Sequence, residues 1–349
     1  MRLGYLTHVT GDAPARAFRD TIDLAVRAEE LGYDSFWVAQ HHDGHLGGRL
    51  PSPLVLLAAV AERTRLIRLG TAVVALPLEE PRRLAEDAAV LDALSGGRLE
   101  LGIGAGADPA ASHRFGRSHD DRHADTVAAL DVLLELLPAG LAEQRTWWAT
   151  ASMMDAAAAR GLGVVSGTPP TASTTVVADL ARYWTYARGF PRVALSRPLP
   201  AGHSPGRLLD DLLADPALPW AGELIVQAQP STVGADVHRE VLERTARRVR
   251  PHLGVAGPAH ASGPVHPSGS AHPSGPLTGT TDPGGPGGGG TGRAHLARAV
   301  GGVPARARPG TEAGGRPYPP RPIAGTAGPA PEDDDLPRMR PRPAVRARR

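Results

Sequence analysis

At 349 residues and a formal net charge of only +2, the chain is long enough for one large α/β domain or two smaller ones. All 38 of its basic Lys/Arg side chains are arginine, and its 0 cysteines exclude disulfides, thiolate catalysis and Cys-ligated metal. No apolar run reaches membrane-spanning length and the N-terminus lacks a secretory apolar core, so a cytoplasmic protein without a membrane partner is expected.

Leu3–Val9 reads as a short first strand. Asp12 is placed to cap a helix from Pro14, with Phe18, Ile22, Ala25 and Ala28 on its apolar stripe and Gly32 at its end. Ser35–Ala39 is the second strand and runs into Gln40-His41-His42-Asp43. Ser52 and Pro53 then open a helix that lasts to Arg63. Ile67–Leu76 is a β-branched, apolar run suited to a third strand buried on both faces. Pro77 and Pro81 end it, and Leu84, Ala88, Leu91 and Leu94 recur at helical spacing until Gly96-Gly97. Leu99–Ile103 is the fourth strand, with Gly104-Ala105-Gly106 leaving its C-terminal end. Parallel strands joined by a helix form a β-α-β unit, and ligands of such folds lie beyond the C-terminal strand ends.

After a polar stretch, helix resumes near His123, carries Val127, Leu130, Leu133, Leu134 and Leu137, and closes at Pro138. Thr146–Thr150, Leu162–Val165, Arg192–Ser196 and Glu223–Gln227 are the fifth to eighth strands. Helices Met153–Arg160, Thr174–Arg188 and Gly206–Leu213 separate them, and Asp236–Val249 follows the last. Eight strands alternating with helices predict a (β/α)8 TIM barrel over residues 1–254. A doubly wound sheet is the alternative, and the strand count favours closure. Over 255–349 Gly, Pro, Ser and Ala dominate, and a short repeat places His260, His266 and His272 at even spacing. Such a segment buries too little apolar surface to offset its chain entropy, so a disordered C-terminal tail is expected. Its end, R-P-R-P-A-V-R-A-R-R, is basic enough to touch nucleic acid or anionic lipid, but it reads as solvated chain with no specific nucleic-acid partner.

His41 stands at a strand end, where the catalytic groups of such barrels collect, and imidazole titrates near neutrality. The alternative is an ordinary surface histidine. Thr150-Ala151-Ser152 offers two hydroxyls before a helix, suited to a phosphate, or Ser152 is simply an N-cap. H-H-D-G-H at His41–His45 and H-D-D-R-H at His119–His123 raise metal ligation at the barrel mouth. His8 stands alone, without the H-x-H that metal-dependent hydrolase barrels carry after their first strand, and no metal site is assigned.

Three segments together carry a resemblance: G-T-A-V-V-A-L-P at Gly70–Pro77, A-E-D-A-A-V-L-D-A-L-S-G-G-R at Ala85–Arg98, and G-I-G-A-G at Gly102–Gly106. In this order and spacing they resemble the luciferase-like flavin monooxygenases, over the span of the eight strands. The resemblance implies the same TIM barrel and makes His41 the catalytic base, with His42 its structural neighbour. It implies a non-proline cis peptide at Ala72–Val73, set against the isoalloxazine ring. It puts the FMN phosphate at Thr150, Ala151 and Ser152, with Gly104 and Ser166 completing the cofactor-binding set.

The activity implied is that of a two-component monooxygenase, in which a flavin reductase supplies reduced FMN and O2 oxygenates a small organic substrate. An F420-dependent hydride-transfer oxidoreductase on the same barrel is the alternative, as is a non-catalytic flavin-binding or inert barrel. A homodimer is the common state among members. Ala105, Ala149 and Met153 stand where some members carry polar phosphate contacts, and the link from Pro138 to Arg145 is shorter than usual.

Overall fold

Short runs of residues buried on both faces build the sheet, as a parallel sheet covered by helices requires. The computed structural model describes residues 1–253, except 12, 150–152, 170, 172–174 and 201–204. Its strands are β1 (Arg2–Thr7), β2 (Ser35–Val38), β3 (Arg68–Thr71), β4 (Val74–Ala75), β5 (Leu99–Gly104), β6 (Thr146–Ala149), β7 (Gly163–Ser166), β8 (Val193–Pro200) and β9 (Glu223–Gln229). The helices are α1 (Pro14–Glu30), α2 (Pro53–Arg63), α3 (Pro81–Leu94), α4 (Pro109–Arg114), α5 (Arg122–Leu136) and α6 (Ala139–Gln144). They continue with α7 (Met154–Arg160), α8 (Val176–Tyr186), α9 (Pro205–Leu213), α10 (Ala235–Arg248) and α11 (Arg250–Leu253).

All pairings are parallel. β1 lies between β2 and β9, and the ladder runs on from β9 through β8, β7 and β6 to β5. β3, beside β2, closes the ring by pairing Leu69 with Leu99 and Gly70 with Glu100 of β5. The chain is thus an eight-membered parallel barrel wrapped by helices, a TIM barrel. No helix among the described residues is long and apolar enough to cross a membrane.

The third barrel position departs from the strand expected over Ile67–Leu76. β3 stops at Thr71, the Ala72–Val73 peptide bond is cis, and β4 resumes with its own register, Val74 on Ile103 and Ala75 on Gly104. The break falls where the resemblance put a cis bond; hydrophobic periodicity cannot see it, because the run is apolar throughout. Three helices are additions, α11 among them as a short turn after α10. α4 forms in the polar stretch, its Asp108 cap accepting from Ala110 N at 2.9 Å, and α6 fills the link after Pro138. α1 starts at Pro14 as expected, but the residue at its cap position is Ala13. Ser52 precedes α2 without making a side-chain cap bond. Asp12, the segment Thr150, Ala151 and Ser152, and the tail from 255 lie outside the described residues.

Alternation along the strands sorts the lumen into layers. Leu6, Trp37, Ala39, Trp147, Val165, Ala194 and Ile225 pack inside the ring, apart from the larger core between sheet and helices. The two indoles meet edge to face with centroids 6.0 Å apart. Glycine makes room for them: a Cβ on Gly70 would fall on the Trp37 ring, and one on Gly163 on the Trp147 ring.

At the N-terminal strand ends, Trp37 Nε1 donates to Ser35 Oγ at 2.7 Å and Trp147 Nε1 to Glu100 Oε2 at 2.6 Å. Ser35 donates in turn to Glu223, Arg68 pairs with Glu100, and Arg2 Nη2 lies 2.5 Å from Glu223 Oε2. Burial pushes the Glu223 carboxyl above its ordinary value, and Arg2 opposes that shift. The floor of the barrel is therefore plugged and tied. Anything the lumen binds enters from the other end.

Candidate active site

The C-terminal ends of β1, β2, β4 and β5 surround a cavity of about 190 Å³. His8 follows β1, Ala39 to His42 follow β2, Ala72 and Val73 bridge β3 and β4, and Ala105 to Asp108 follow β5. Ala75 of β4, Leu78, Leu46 and α4's Ala111 and Ser112 complete the lining. Most of these side chains are small. Gly104, just below, has no room for a side chain, since a Cβ there would come 2.8 Å from Val73 Cγ2.

His41 is held from its backbone outward. Its N–H donates to Leu50 O at 2.9 Å, and Arg49 N donates to Val9 O at 3.1 Å. These bonds draw the loop between 41 and 50 over the end of β1. Gly44 and Gly47 make the reversal at φ of 75° and 81°, which glycine adopts freely. The loop brings Gly48 onto the His41 ring, where any Cβ would overlap the imidazole. Arg114 of α4 clasps the loop through Asp43 at 2.7 Å.

The His41 ring stacks on His8, with centroids 5.0 Å apart and 28° between planes. Burial first, and then the neighbouring His8, push the His41 imidazole down to about 4. Burial lowers His8 as well, with a hydrogen bond to Gln227 opposing. Both rings are therefore neutral near pH 7, and Nδ1 of each is buried without a partner. A neutral imidazole offers one bare nitrogen to a proton. Gln40, by contrast, has its amide engaged: it accepts from Ala75 N at 2.7 Å and donates to Pro51 O at 3.0 Å and Glu79 Oε1 at 2.8 Å. It clamps β2 to β4 and so sets the cavity wall.

The fold thus brings His41, Ala72 and Val73 to one cavity, and Gly104, which does not line it, lies against Val73. Ser166 is placed differently. Val165 packs in the lumen, so alternation turns Ser166 to the opposite face, where its buried Oγ has no partner and its carbonyl accepts from Arg197 at 3.1 Å. His42 borders the same cavity and packs on Phe115, with centroids 4.8 Å apart, and His119 pairs with Ser112 Oγ at 3.2 Å. Among the described residues no three His, Asp or Glu side chains group as metal ligands. Sequence reasoning weighed His8 only as a lone histidine against a metal site and missed its place beside His41. The signal was present, since alternation puts it on the lumen side with Leu6, as it puts His41 with Ala39.

The family model for the luciferase-like monooxygenases matches residues 1–253. Over 130 residues the chain is 41% identical to the 4-hydroxyprotoasukamycin monooxygenase of Streptomyces nodosus subsp. asukaensis, which is 37% of this chain and 35% of that protein. Over 109 residues it is 38% identical to the F420-dependent glucose-6-phosphate dehydrogenase of Amycolatopsis mediterranei, covering 30% of this chain and 32% of the relative. Each match spans about a third of the curated relative's length. The crystal structure of monooxygenase RslO1 from Streptomyces bottropensis superposes with a TM-score of 0.60 at 22% identity. That superposition covers 72% of this chain and 100% of the other, and shows a common fold.

Proposed function

The chain belongs to the luciferase-like monooxygenase family, and from that premise we propose that it is an FMN-dependent, two-component monooxygenase whose cofactor ring lies in the His8–His41 cavity. The observation that supports this reading is the make-up of that cavity. Ala39, Ala72, Val73 and Ala105 form a low apolar wall, and a neutral imidazole with an unpartnered buried nitrogen stands beside it. Small apolar groups with one polar edge suit a flat aromatic ring system. Gly104 belongs to the proposed cofactor set, Ser166 drops out of it because its side chain faces away from the lumen, and the hydroxyls of Thr150 and Ser152, flanking Ala151 after β6, are proposed to take the phosphate.

Bound reduced flavin would supply the reducing equivalents for oxygen chemistry, delivered by a partner flavin reductase. The chain's own residues position, exclude water and handle protons. His41, neutral at working pH, takes up and returns a proton at a ring nitrogen. The loop between 41 and 50, with Leu46 on the cavity, covers the site against water, and Gln40 keeps β2 and β4 from shifting beneath the bound ring.

A second reading, hydride transfer with F420, draws support from the F420-dependent relative. Anaerobic titration with reduced FMN, oxidised FMN and F420, followed by O2, NADH and a flavin reductase with candidate substrates, separates the two. The FMN reading predicts tightest binding of reduced FMN and product formation that requires O2. Preferential F420 binding with turnover that needs no O2 would replace it with the second.

A further inference from the structure

Two imidazoles stack at the mouth of the barrel, and the flavin reading of the cavity uses one of them. His8 leaves the end of β1 and rests on His41, centroids 5.0 Å apart and planes 28° from parallel. Its Nε2 lies 3.1 Å from Gln227 Oε1 on β9. A carboxamide oxygen only accepts, so in this arrangement His8 carries its proton on Nε2 and presents a bare Nδ1. That Nδ1 is buried and without a partner, whereas a histidine kept for packing normally has its buried nitrogens satisfied. Gly48 hems the His41 ring as well, so His41 has little freedom to turn.

We propose that His8 is a positioning residue for His41: anchored by Gln227, it fixes the His41 ring toward the cavity and sets the two rings of the stacked pair against carrying a positive charge at the same time. The proposal rests on the reading of His41 as the group that handles protons. Two rings in this contact oppose each other's protonation, and such a pair titrates in two separated steps. Other groups around the pair act on it less. Asp108, after β5, favours a charged His41, and His42 on the same loop opposes it, both more weakly than His8 does. His238 of α10, buried and 2.7 Å from Tyr5 OH through its Nδ1, also feels a charge on His8.

The test uses the full-length chain without cofactor, so that flavin chemistry does not enter it. Ring 15N–1H NMR follows the histidines through a pH titration, with the His41 signals assigned by their loss in His41→Gln. In the wild type, His8 and His41 titrate in two steps below the ordinary imidazole range, and His41 keeps one tautomer. His8→Phe retains a stacking ring without a charge, and His8→Asn retains a polar group for Gln227 without a ring. In both, the His41 titration becomes a single step and moves up by about half a pH unit or more. The single tautomer survives in His8→Phe and averages in His8→Asn. Should one variant fail to fold, the other decides. An unchanged His41 midpoint in a folded variant overturns the role, whatever the cofactor titrations give. A shifted midpoint in a protein that shows no oxygenation upholds it and removes only the monooxygenase reading.

Discussion

At the floor of the lumen Trp37, Trp147, Glu100 and Glu223 satisfy their polar atoms on one another and on Ser35, Arg2 and Arg68, while at the mouth His8 and His41 keep buried ring nitrogens with no partner. Even Glu223 Oε2, which accepts no aligned hydrogen bond, lies 2.5 Å from Arg2 Nη2. Large side chains set against glycines fill the first region, and small side chains leave the second open. A buried polar atom left unpaired costs stability, so it persists where something other than stability is selected. The floor holds the barrel together, and the mouth is the region proposed to take a ligand.

Two substitutions set that contrast to work at its largest scale. His41→Ala should lower product formation per folded molecule by ~10²–10⁴, the usual reach of general acid–base catalysis, with the thermal midpoint and reduced-flavin affinity near wild type. Product formed against NADH consumed, in the presence of a flavin reductase, measures it. Trp147→Ala, next to the floor, should do the reverse: a loss of ~3–5 kcal/mol in denaturant unfolding, with the remaining folded protein binding flavin normally. A stability loss in the first, or a specific catalytic loss in the second, breaks the division.

The titration of stability sharpens it. His238 is only 5% exposed, and burial, with His8 second, holds its imidazole at about 4. Unfolded, the same ring protonates near ~6.5. As pH falls the unfolded chain therefore binds the proton first, and folding loses stability between ~6.5 and ~4 and levels off below. The loss is on the order of 3 kcal/mol. His41, whose value is depressed in the same direction, adds to it. Chemical denaturation across this window should show the slope in wild type and a flatter one in His238→Gln. No slope in the wild type would mean that the ring is already protonated in the fold.

A smaller effect separates the parts of the mouth. Replacing Thr150 and Ser152 together with Ala removes two hydrogen bonds to a charged group, so FMN affinity should fall at least ~10-fold while riboflavin affinity barely moves. Equal losses for both ligands would place the phosphate elsewhere.

Most of the barrel was legible because the motifs that carry the family likeness are packing motifs. Arg98 of S-G-G-R is buried and donates to Ser95 O at 2.7 Å, Thr64 Oγ1 and Ile67 O at 2.9 Å, and Ala61 O at 3.0 Å, bolting α2, β3 and α3 together. Gly102 is glycine because a Cβ there would strike the Thr71 carbonyl, across which Thr71 Oγ1 and the Gly102 backbone exchange bonds of 2.7 and 2.9 Å. The site was only half legible. His41 follows from its place at a strand end, but its partnership with His8 depends on the pairing of β1 with β2, Thr7 beside Val38, which no local pattern encodes. The interruption at Ala72–Val73 hides inside an apolar run, and the outward turn of Ser166 depends on the phase of β7 within the ring.

Binding of the cofactor ring at the mouth is tested most directly by anaerobic titration of wild type and Ala105→Trp with reduced FMN. Ala105 borders the cavity, is partly exposed, and does not pack into the lumen cluster, so an indole there fills the site and leaves the barrel intact. Binding at the mouth predicts at least ~10-fold weaker affinity, about 1.4 kcal/mol, at an unchanged thermal midpoint. Undiminished affinity in the variant would contradict it.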